Sequence, residues 1–197
     1  MSVDIASVKR LKDLTGVGLT DAKKALEEAK GDFDKALAAM RKKGLTKAEK
    51  RGEREARAGI IGNYNHDNRI GVLVEVNCET DFVARNEIFT ELVKDLAMHI
   101  AATSPQYVSV DDVPKADHKK VKDEFSEKTK AEGKPAEMVE KIVEGQLKKY
   151  FAERCLMDQP FVKDPDMTVG DYVKDHSARL GENIVVRRFS RMAVGEV

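Results

Sequence analysis

Tryptophan is absent from this chain of 197 residues, and aromatic residues of every kind make up only 6%. That shortage speaks against a platform on which nucleic-acid bases stack. Net charge is missing too: 35 basic and 35 acidic side chains cancel to +0, which removes any global attraction to nucleic acid or acidic membranes. Cysteine is scarce. Cys78 and Cys155 lie far apart and outside any metal-ligand spacing, as expected of a reducing, cytoplasmic setting. No apolar run approaches the length of a membrane span. The opening Met-Ser-Val-Asp-Ile has neither the basic start nor the apolar stretch of a signal peptide.

Catalytic signatures are missing as well. No glycine-rich loop ends in Lys-Ser or Lys-Thr, and Gly16-Val17-Gly18 is too short to cradle a phosphate. His66, His99, His118 and His176 stand in separate contexts, none beside a cysteine or a carboxylate pair. Cys78 is placed on the apolar face of a strand, with no general base to activate it. No metal, no cofactor and no enzymatic activity are expected.

What the chain does have is periodicity. Ile5, Val8, Leu11 and Leu14 recur at helical spacing; Ala22, Ala25, Leu26 and Ala29 form a narrow second face; Asp32 is placed to cap a third helix carrying Phe33, Ala36, Leu37 and Met40. Residues 1–44 are therefore predicted to be a three-helix domain. Residues 45–58 are charged and nearly devoid of large apolar groups, the composition of a linker. From 59 to 197 the period changes. Val72, Val74, Val76 and Cys78 alternate onto one face, with Glu75 and Asn77 opposite, after a turn-rich cluster at 63–68; this predicts a β-hairpin. An amphipathic helix follows over 87–102. Residues 115–157 read as a helical hairpin turning at Gly133-Lys134-Pro135, and 160–163 as a short edge segment. A helix from Thr168 to Leu180 stops at Gly181, and a last strand covers 183–189. Strands and helices do not alternate regularly, so the predicted class is α+β with a small antiparallel sheet.

The most informative run is Val76-Asn-Cys-Glu-Thr-Asp-Phe-Val-Ala-Arg-Asn86, a strand end turning directly into a helix. Asp81 and Phe82 sit together at the corner. Either they serve the fold, with Thr80 or Asp81 as a cap and Phe82 stapled against Phe89, or they are presented to another protein.

This run with its strand, Val74–Asn86, resembles a signature of one family: bacterial translation elongation factor Ts, the guanine-nucleotide exchange factor of elongation factor Tu. Leu11–Leu26 resembles that family's opening signature, and Met138–Gly145 and Gln159–Pro165 with Thr168-Val-Gly170 add a third and fourth. The resemblance implies a ubiquitin-associated-like N-terminal domain followed by an α+β core. It implies that Thr80, Asp81, Phe82 and Val83 displace magnesium from the partner's nucleotide site. It also implies an N-terminal contact at Lys12, Leu19 and Thr20, where Thr20 stands in place of a methionine common in longer members. His66 and the pair Leu180-Gly181 resemble further contact positions, and the compact length implies a homodimer. Besides exchange on elongation factor Tu, an RNA- or ribosome-binding adaptor using the basic residues from Arg41 to Arg57 stays open. That adaptor would bind in a strongly salt-dependent way; the exchange factor itself would have no direct nucleic-acid or membrane partner.

Overall fold

In the computed structural model, residues 4–15, 17–40, 42, 52–132 and 135–196 are described. The cluster Arg41-Lys42-Lys43 apart from Lys42, the linker over 45–51 and the hairpin turn at Gly133-Lys134 lie outside them.

Helical spacing at the N-terminus yields α1 (Ile5–Thr15), α2 (Leu19–Glu28) and α3 (33–40). Their small facing residues, Ala22, Ala25 and Ala36, let Val8, Leu11, Leu26 and Met40 close a tight cluster. Asp32 accepts a hydrogen bond from the Lys35 backbone N–H at 3.1 Å, as an N-cap does. The apolar stripe of α1 is shorter than its spacing predicts. Ile5 is 82% exposed and Leu14 is also exposed, which leaves Val8 and Leu11 as the buried apolar residues of the stripe.

The core begins with β1 (Ala58–His66) and β2 (Ile70–Cys78), paired antiparallel from Ala58↔Cys78 to His66↔Ile70. Residues 63–66, expected in a turn, continue β1. The loop is only Asp67-Asn68-Arg69, with Asp67 and Asn68 both at positive φ (50° and 55°) and the Arg69 N–H donating to the His66 carbonyl at 2.9 Å. Val72, Val74, Val76 and Cys78 are buried as the alternation requires. Asn77 departs from it: it is buried and donates from Nδ2 to the Ala58 carbonyl at 3.2 Å. After β2 come a single helical turn, α4 (Asp81–Ala84), and the long α5 (Glu87–Thr103), which lays Phe89, Leu92, Val93, Leu96 and Ile100 on the inner sheet face. Gly62 makes that approach possible. A Cβ there would stand 2.4 Å from Val93 Cγ1.

Next is a helical hairpin, α6 (Lys115–Ala131) and α7 (Ala136–Ala152). It closes its own cluster around Val139, Val143, Leu147, Phe151 and Cys155. Two short strands follow, β3 (Pro160–Phe161) and β4 (Asp164–Thr168). The first fits the expected edge segment; the second was not legible, since Asp164-Pro165-Asp166 reads as loop. The helix α8 (Val169–Leu180) is capped by Thr168 and stopped by Gly181 at φ 78°. Then β5 (Val185–Ala193) runs four residues past Phe189 and pairs antiparallel with β2, giving the sheet order β1-β2-β5. The class is α+β. Among the described residues no helix is long and apolar enough to cross a membrane.

Two histidines are core residues: His99, which borders the apolar face of its helix in the sequence, and His176, whose helix reads as polar. His99 is fully buried, with Nδ1 accepting from the Val162 N–H (3.2 Å) and Nε2 against Gln159 Oε1 (3.0 Å). His176 is buried beneath Tyr172, its Nδ1 2.9 Å from the Tyr172 carbonyl.

Candidate functional site: the corner at Thr80–Val83

Strand β2 ends at Cys78, and the chain needs only two residues before α4 starts. Thr80 is extended (φ −130°, ψ 153°) and caps α4, its Oγ1 accepting from the Val83 N–H at 3.4 Å. Asn86 then caps α5, accepting from the Ile88 N–H at 2.8 Å. Two caps within seven residues turn the chain sharply. Val83 and Ala84 face inward and are buried. Phe82 is left outside, 83% exposed, with Asp81 exposed beside it. Phe89 is fully buried within the core, so Phe82 is not stapled to it. The capping reading holds for Thr80, while Asp81 and Phe82 are presented outward.

The corner is held from beneath by the loop between α8 and β5. Glu182 Oε2 accepts from the Glu79 N–H (3.0 Å) and the Thr80 N–H (3.1 Å), and Oε1 accepts from the Thr80 hydroxyl (2.6 Å). In return Glu79 Oε1 accepts from the Asn183 N–H at 2.7 Å and lies 3.6 Å from the Arg54 guanidinium. Asn183 Nδ2 donates to the Arg54 carbonyl at 2.6 Å, which ties the end of the charged 45–58 stretch to this place. Cys78 contributes its S–H to the Thr80 carbonyl, 3.2 Å away. Burial first, and the carboxylates of Glu182, Asp81 and Glu79 after it, push that thiol up to about 11. At neutral pH it is a protonated donor, unsuited to nucleophilic attack.

The other residues singled out in the sequence are distributed unevenly. Leu180 and Gly181 lie next to the corner, because Glu182 follows them directly. His66 sits at the far end of the β1–β2 hairpin, eight residue pairs from Cys78, roughly 26 Å at the rise of an extended strand. Lys12, Leu19 and Thr20 are exposed on α1 and α2. Glu79, Glu182 and Asn183 were missed. Their contacts span 102 to 104 positions, and no periodicity carries pairing at that separation. Among the described residues, no three His, Cys, Asp or Glu side chains gather into a metal-binding set.

The family model described as Elongation factor TS matches residues 20–196. The elongation factor Ts of Thermodesulfovibrio yellowstonii is 49% identical over 196 residues, covering 100% of this chain and 98% of that protein. Those of Alkaliphilus metalliredigens and Geobacter sulfurreducens are each 51% identical, covering 100% of this chain and 91% of their own length. A match of this extent, carried by a sequence whose corner run folds into an outward-facing Asp-Phe pair, means that the chain belongs to the elongation factor Ts family.

Proposed function

We propose that this protein is a guanine-nucleotide exchange factor for elongation factor Tu, and that the Thr80–Val83 corner is the part that opens the partner's nucleotide site. One observation carries the reading. Phe82 is 83% exposed on a corner whose neighbours Val83 and Ala84 are anchored in the core. An exposed phenyl ring costs solvation unless a partner receives it, and an anchored backbone lets the ring push without yielding.

The partner is a GTPase that holds its nucleotide through phosphate contacts and magnesium. Burying Phe82 between two of its helices contributes roughly 1.5–3 kcal/mol. That energy offsets displacement of a helix supporting the metal's ligands. Asp81 accepts hydrogen bonds from groups exposed by the displacement. Magnesium leaves, the β-phosphate charge loses its screening, and GDP dissociates. The factor by which the protein weakens nucleotide binding equals the factor by which nucleotide weakens the protein, so incoming GTP releases the complex. No covalent bond in either protein is made or broken.

The three N-terminal helices, as a separate ubiquitin-associated-like domain joined by the charged linker, supply a second contact through Lys12, Leu19 and Thr20. Leu180 and Gly181 extend the patch around the corner. His66 is too distant for that patch in one copy, and a homodimer brings a second hairpin end into reach. The dimer's face is the outer side of the sheet. Ile61, Leu73 and Met192 there are 65%, 55% and 75% exposed, and their registers place them in one diagonal stripe. Sedimentation equilibrium should give twice the chain mass, and Leu73→Asp should halve it; a monomeric wild type contradicts the dimer.

The function itself is tested with elongation factor Tu loaded with fluorescent GDP. Wild type should accelerate release, and Phe82→Ala should lose most of the acceleration while remaining folded. Equal rates for the two would refute the wedge. Salt-sensitive RNA retention without accelerated release would point to the adaptor instead.

A further inference from the structure

Thr80 has a hydroxyl that must do two things at once. Its lone pair accepts from the Val83 N–H and so starts α4, and its proton needs an acceptor. Glu182 supplies that acceptor at 2.6 Å, which fixes the hydroxyl rotor with its lone pair toward Val83. The other oxygen of the same carboxylate takes the two backbone N–H groups of Glu79 and Thr80. All three bonds to Glu182 are charge-assisted, the stronger kind. Glu182 itself is set by the turn it follows. Gly181 takes the left-handed conformation that ends α8, and Ser177 Oγ donates to the Glu182 carbonyl at 2.6 Å. The reciprocal bond from the Asn183 N–H to Glu79 closes the clasp from the other side.

We propose that Glu182 is the positioning residue of the exchange reaction: its carboxylate holds Thr80 and the first turn of α4 so that Phe82 and Asp81 leave the core at a fixed angle. This rests on the exchange reading above. Glu182 acts through Thr80 and touches no nucleotide. Without it the corner still forms, because Val83 and Ala84 stay buried, but the ring samples several directions. Each productive encounter then has to order the corner first. The cost falls on the step in which the ring enters the partner, after docking through the other surfaces.

Three variants distinguish positioning from general support of the fold. Glu182→Ala removes all three bonds, Glu182→Gln keeps one acceptor oxygen, and Thr80→Val removes the hydroxyl. Glu182→Ala should lower the maximal rate of GDP release from elongation factor Tu by about tenfold, the equivalent of one charge-assisted hydrogen bond. The concentration giving half-maximal release should change much less. Glu182→Gln should fall between Ala and wild type. Adding Thr80→Val to Glu182→Ala should cost far less than the sum of the two, since both act through one contact. Amide hydrogen exchange, which needs no partner, should speed up at Glu79, Thr80 and Val83 in Glu182→Ala and stay unchanged along α5. A folded Glu182→Ala variant with the wild-type maximal rate overturns the proposal. So does unchanged protection of those three amides. If wild type itself fails to accelerate release, the exchange reading falls and the positioning role in exchange falls with it, whereas accelerated release by wild type with full activity in Glu182→Ala removes the positioning role alone.

Discussion

Phe82 and Phe89 are the same residue type seven positions apart, and their fates are opposite. Phe89 lies on the inward stripe of α5 and is fully buried, while Phe82 lies on the outward side of a single helical turn and is 83% exposed. Stability and function should therefore separate at these two positions. In urea titrations Phe82→Ala should stay within about 0.5 kcal/mol of wild type, the usual range for a surface change. Phe89→Ala should cost about 3–5 kcal/mol through its cavity. A Phe82→Ala variant destabilised like Phe89→Ala would mean that the ring packs on its own fold. The sequence alone left both roles open for Phe82, since an acid and a phenyl ring at a helix start suit a staple as well as a contact. What decided between them was whether residue 82 or 83 faces inward, which a four-residue helix is too short to reveal by periodicity.

At the scale of elements, patterns were legible where one face is buried and illegible where tertiary contact replaces pattern. The alternation of β2 and the stripe of α5 were read correctly because both meet a continuous core. The asparagines within 63–66 read as a turn, yet pairing with β2 carries β1 through to His66. Buried Asn77 and the strand at Asp164–Thr168 were hidden for the same reason: each depends on a hydrogen bond or a pairing rather than on hydrophobicity. The clasp between Glu79 and Glu182 is the extreme case, since it joins the two ends of the core. Close approach of elements gives its own test. Gly62→Ala forces a methyl group toward Val93 where α5 crosses β1, and should destabilise by about 1–3 kcal/mol. Combining it with Val93→Ala should recover part of that loss; no loss in the single variant would mean that α5 does not rest on this strand.

For the molecule as a whole, two buried histidines set the response to acid. Burial is the main force lowering the pKa of both His99 and His176; the hydrogen bonds to Gln159 and to the Tyr172 carbonyl oppose it only in part. His99 is neutral with its proton on Nε2, because Nδ1 must accept from Val162. The native state resists protonation that the unfolded chain accepts near the ordinary value of 6.5. The stability tied to these groups is thus complete above about pH 6.5 and declines as pH falls toward their native values, by up to about 1.4 kcal/mol per pH unit for each histidine. Urea midpoints taken from pH 7.5 to 5.5 should fall; a flat profile would mean that folding leaves the proton affinity of both rings unchanged.

The central claim is that a rigid corner delivers Phe82 into elongation factor Tu. Its most direct test is the fluorine signal of 4-fluorophenylalanine placed at position 82, recorded with a soluble paramagnetic relaxation agent. In the free protein the agent should broaden the signal strongly, as an exposed ring requires. On saturation with nucleotide-free elongation factor Tu the signal should shift and become protected from the agent. A ring that stays equally accessible in the saturated complex would contradict the account.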